Sequence, residues 1–141
     1  MTHKRQAIRH AIAAQLETAP ALLGRVVTTR ARPTAPDELP VAIVYALTES
    51  SSKATIGGRL SRTLNVAVEL RASSVGALDD TLDALSLAVE QAMATDRTFR
   101  KTVIDSSLTN TAIGLDGEGE TKQAVATLTY TVLYQSDASG S

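Results

Sequence analysis

Cysteine is absent from this chain, which excludes disulfides, thiol nucleophiles and Cys-ligated metals. Tryptophan is absent too, and aromatics are only 3% of residues, so any core must rest on Leu, Val, Ile and Ala. No apolar run approaches the ~18–20 residues of a membrane span. The basic start MTHKRQAIRH has no continuous apolar stretch behind it, so a secretory signal is not expected. Histidine is scarce as well. His3 and His10 would stand about 10 Å apart along a helix axis, too far for one metal ion. With no third histidine and no G-x-S-x-G elbow, a Ser-His-Asp system is not expected, and both are read as exposed helix residues.

What is present is ordinary for a globular protein: 141 residues, 43% hydrophobic and 21% charged, enough for one domain with a real core. The net charge of −1 hides an asymmetry. Residues 1–32 carry six Lys/Arg against one acid, whereas residues 33–141 carry eight against fourteen. A basic first helix on an acidic remainder suits head-to-tail contact between copies. It would also suit a nucleic-acid module using Arg5, Arg9, Arg25, Arg30 and Arg32, although interleaved aromatics are missing.

Periodicity gives the elements. Ile8, Ala11, Ile12, Gln15 and Leu16 form one stripe, predicting a helix over 3–18 capped by Thr2. Pro20 and Gly24 end it, and GRVVTTRAR reads as a short edge strand. After the loop RPTAPDELP, the run VAIVYAL is apolar on both faces, as in a central, doubly covered strand. RLSRTLNVAVELRA then alternates with period two. Leu78, Leu82, Leu85, Val89 and Ala92 or Met93 mark a second helix over 76–95. A weaker strand near 102–114, the turn DGEGE and the strand KQAVATLTYTVLYQ follow. The order α-β-β-β-α-β-β offers too few helices to cover both faces of a sheet. The expected fold is therefore α+β, a mixed, mostly antiparallel sheet with both helices on one face. Residues 1–135 read as one domain and 136–141 as a disordered tail.

Three stretches bear on chemistry. Asp79 and Asp83, at i and i+4, could hold a divalent cation, but acids in a first helical turn are routine. Asp116, Glu118 and Glu120 in DGEGE lack the EF-hand pattern and read as an acidic turn, with a weak cation site as the lesser option. TESSSKATIGGRLSRT, residues 48–63, has adjacent glycines but no Gly-Lys-Ser/Thr and runs into a strand, so it is no phosphate loop. It reads instead as a flexible connection of about twelve residues where about two to five suffice. Its cations Lys53, Arg59 and Arg62 make it a candidate partner-binding arm, alongside Arg5, Arg9, Asp79 and Asp83 as candidate interface residues.

The chain resembles the tail terminator family of long-tailed bacteriophages. KRQAIRHAIAAQLE is similar to the opening helix, LPVAIVYALTES to the proline-led strand, LNVAVELRASS with LDDTLDALSLAVEQAM to the strand–acidic helix unit, and AVATLTYTVLYQ to the closing strand. The resemblance implies a non-enzymatic virion protein without cofactors. It implies a homo-oligomeric ring, usually a hexamer, that caps the tail tube, stops its polymerisation and meets the head–tail connector. Assembly would take place in the host cytoplasm, with no membrane partner, and nucleic acid would pass only through the lumen. Other neck and tail-completion proteins share this style of fold and are the nearest alternative.

Overall fold

The computed structural model describes residues 2–29, 39–73, 78–116 and 123–141. Helix α1 spans Lys4–Leu16 and buries Ile8, Ile12 and Leu16, the stripe read from the sequence. Its cap is His3 rather than the expected Thr2: His3 Nδ1 accepts from Arg5 N at 3.1 Å. The start is fixed one residue later because Lys4 N donates to Gly140 O, 2.9 Å away, near the far end of the chain. A single 3-10 turn, Pro20–Leu22, follows.

Five strands form one sheet: β1 (Val26–Val27), β2 (Val41–Lys53), β3 (Leu60–Ser73), β4 (Asp105–Asp116) and β5 (Gln123–Ser136). Their spatial order is β1-β2-β3-β5-β4, with β1 parallel to β2 and every other pair antiparallel. Helix α2, Leu78–Ala94, crosses from β3 to β4. The architecture is thus the mixed α+β sheet expected from the element order.

Alternation along the strands decides what is buried. Leu64, Val66, Val68 and Leu70 of β3 and Ala126, Leu128, Tyr130, Val132 and Tyr134 of β5 share a core with Leu82, Leu85, Val89 and Met93 of α2. Burying each such aliphatic side chain contributes roughly 1.5–3 kcal/mol. The first four residues of β2, Val41–Val44, are buried on both faces as their composition demands. Yet β2 is not central; β3 is, and among the described residues only the two-residue β1 pairs with the outer side of β2.

Gln15, the one polar member of the α1 stripe, lies within hydrogen-bond reach of Ala92 O, Met93 O and Asp96 O at the end of α2. It satisfies carbonyls that a helix terminus leaves without partners. Beyond them, Phe99, Arg100 and Lys101 take left-handed backbone angles, φ 49°, 58° and 65°. The Asp96 carboxylate holds this turn by accepting from Thr98 N at 2.9 Å and Arg100 N at 2.8 Å.

The stretch 48–63 departs most from expectation. Strand β2 continues to Lys53 and pairs residue by residue with β3, so the connection is only residues 54–59. Ser/Thr alternation on the open face, not apolar alternation, carries the strand through this region. Residues 30–38 and 117–122, which hold the proline loop and most of DGEGE, lie outside the described residues. Residues 136–141, expected as a disordered tail, have a defined place: Ser136 closes β5 and Asp137 Oδ1 accepts from Ser139 N and Ser141 N, each at 3.0 Å.

Candidate functional site

Arg62 and Arg5, read as free interface cations, turn inward. On β2 and β3 the helix-side positions above the apolar core are Glu49 and Arg62, and α1 brings Arg5 over them. Glu49 Oε2 accepts from Arg5 Nη1 at 2.5 Å and Arg62 Nη1 at 2.9 Å, while Glu49 Oε1 accepts from the Tyr134 hydroxyl. Arg62 Nε donates to Ser136 Oγ at 2.7 Å. Here Arg62 keeps the phase of Leu64 and Val66, and burial is met by a carboxylate instead of by leaving the core.

The electrostatics follow from this packing. Burial pushes the Glu49 carboxyl up, but hydrogen bonds from Tyr134, Arg62 and Arg5 outweigh it and hold the group below its ordinary 4.5. Burial and then the Glu49 hydrogen bond push the Tyr134 phenol up. His3 beside the cluster is held below 6.5 by burial, then by Arg5 and Arg62. Gly140, at φ 89°, approaches the His3 ring so closely that a Cβ there would lie 2.6 Å from it.

The remaining predicted residues are dispersed. Arg9 Nη1 donates to Thr28 O at 3.2 Å and Arg25 Nη1 to Leu39 O at 3.2 Å. Arg30 and Arg32 lie outside the described residues. Lys53 and Arg59 are exposed at the tip of the β2–β3 hairpin, around a fully exposed Ile56. Asp79 and Asp83 are exposed on α2, and among the described residues no three metal-ligating side chains come together. No helix among them is long and apolar enough to cross a membrane.

The weaker strand expected near 102–114 is β4, but its place at an edge of the sheet is not legible in the sequence. Helix α1 lies over β2, and α2 over β3 and β5, so β4 overhangs the helix layer. Its helix-side residues Leu108, Ile113 and Leu115 are therefore in solvent, the last two 63% and 61% exposed. Its sequence DSSLTNTAIGLD contains no Lys, Arg or Pro, the residues that blunt an edge strand against pairing. That absence was visible in the sequence; only the sheet order shows that it falls on an edge. Beside β4, a cavity of about 190 Å³ is lined by Glu90, Met93, Arg97, Leu108 and Tyr130.

The opposite sheet face carries hydroxyls and amides. Asn65 Nδ2 donates to Thr48 Oγ1 at 2.9 Å, and Thr131 Oγ1 lies 3.0 Å from Asn65 Oδ1 and 3.2 Å from Thr109 Oγ1. This chain of contacts links β2, β3, β5 and the bulge of β4. Tyr45, Glu69 and Arg71 form a separate bonded group on the same face.

No protein-family model matches the chain, and no curated protein matches it in sequence.

Proposed function

We propose that this protein is a structural subunit that assembles with copies of itself into a ring, in the manner of a phage tail terminator. The observation that carries the assembly reading is β4, an edge strand of twelve residues that overhangs the helices with Leu108, Ile113 and Leu115 exposed. Such an edge is a template for pairing with another chain. Its apolar side chains add contact area that water does not favour. The tail reading is supported by the resemblance of the elements in order. On it, the ring would cap the tail tube in the virion, with the tube protein and a head–tail connector as partners. DNA would pass through the lumen.

A head–tail connector or neck protein is the alternative within the same class. The nucleic-acid module is less well supported, because Arg5, Arg9 and Arg25 are each engaged within the chain.

The test is assembly. Light scattering should give a mass several times that of one chain, and negative-stain images should show rings. Ile113→Lys with Leu115→Lys should lower the assembled mass while leaving circular dichroism unchanged. Adding the protein to polymerising tail tube should shorten the tubes; unchanged tube lengths with intact rings would favour a neck protein. A monomer at every concentration would refute the assembly reading.

A further inference from the structure

The two ends of the sheet are unlike, and their polarities match. Along β2, β3, β5 and β4 each neighbour is antiparallel, so β2 and β4 run in opposite directions. A second copy placed beside the first in the same orientation therefore brings its β2 antiparallel to the first copy's β4. No strand need be turned over.

Among the described residues both edges are open for this pairing. Among the described residues no strand pairs with the outer side of β2 from Ala46 to Lys53. On β4, Arg97 Nε donates to Ser106 O at 3.2 Å and so engages that one carbonyl, while no described strand lies outside the remainder. Charge agrees with the direction. Antiparallel pairing sets Lys53, with Arg59 just beyond it, at the end of β4 that carries Asp105. Asp105 is partly exposed, with Arg97 Nη2 at 2.8 Å, and can accept a second cation.

We infer that β4 of one copy adds the Ala46–Lys53 half of β2 from the next copy as an antiparallel strand, giving a head-to-tail contact. A heterologous contact of this kind generates a closed ring when its rotation closes, and an open filament otherwise. The inference rests on the assembly reading above and names the surfaces that make it. The alternative with the same edge, β4 against β4 of a twofold-related copy, would stop at a dimer and would bring no cation to Asp105, since the strand contains no Lys or Arg.

The chain has no cysteine, so introduced thiols report alone. Asn110 on β4 and Ser50 on β2 are exposed mid-strand residues on the open face. Within one copy, β2 and β4 are three strand spacings apart, roughly 14 Å. A disulfide needs Cα atoms within about 7 Å, so it cannot form inside a copy. Asn110→Cys and Ser50→Cys proteins, each folded by circular dichroism, are mixed and oxidised. The expected product is a covalent dimer holding one of each, and the doubly substituted chain should give a ladder ending at the ring number. Dimers from Asn110→Cys alone would overturn the inference in favour of twofold pairing. An oligomer by light scattering with no cross-link would overturn it while leaving the assembly reading standing, whereas a monomer would remove both.

Discussion

Arg62 Nη1 lies 2.9 Å from Glu49 Oε2, and both side chains are only 10% exposed. The pair sits where β2 and β3 extend past the apolar core, and Arg5 ties α1 to it. The hairpin and the first helix are therefore joined through one carboxylate.

Removing that carboxylate leaves two guanidinium groups without their counter-charge. Breaking a buried pair at one partner typically costs about 3–5 kcal/mol. With Arg5 partly in solvent the lower end is expected, so Glu49→Ala should lower unfolding stability by about 3 kcal/mol. Denaturant titration measures it, and a loss below about 1 kcal/mol, the scale of an exposed pair, would show that the cluster contributes little.

Acid should act on the same corner in two stages. His3 is held below 6.5 in the folded protein, so the unfolded chain takes its proton first and stability begins to fall as pH drops through 6.5. Protonation at Nδ1 also removes the acceptor that caps α1. Glu49 is held below 4.5, and its contribution is lost as pH falls from there. His3→Asn keeps a capping oxygen but cannot titrate. Its stability should be flat between pH 7 and pH 5 where the parent's declines, as followed by thermal melts; parallel curves would count against the His3 cap.

A stabilising change is expected at Lys101, which is exposed and held at φ 65°. A left-handed backbone costs a non-glycine residue about 1–2 kcal/mol, and glycine avoids it. Lys101→Gly should raise stability by about 1 kcal/mol, since the backbone bond from Lys101 N to Thr98 Oγ1 is retained. A lower denaturation midpoint would mean that the side chain itself matters to this turn.

Much of the fold was legible because it depends on period. The stripes of α1 and α2 and the alternation of β3 and β5 are properties of short windows, and burial follows them. The full length of the β2–β3 hairpin is not legible because Thr48, Ser50 and Ser52 are strand residues facing solvent, and their inward neighbour Glu49 is polar for a long-range reason. Nothing within ten residues of Glu49 announces Arg5 or Tyr134. The role of His3 is likewise hidden from a window that marks it as an exposed helix residue, because the helix start it caps is set by Gly140, far along the chain. The β4 edge required the strand order itself, which a window cannot supply.

That order, β1-β2-β3-β5-β4, sets a timetable. Strand β4 reaches the sheet only through β5, which ends at Ser136. During synthesis β3 and β4 leave the ribosome with no strand between them, and the sheet stays two separate pieces. Only a chain completed through β5 presents a finished outer strand. A chain cut short before β5 lacks that strand's foundation, so in it β4 has no sheet to join.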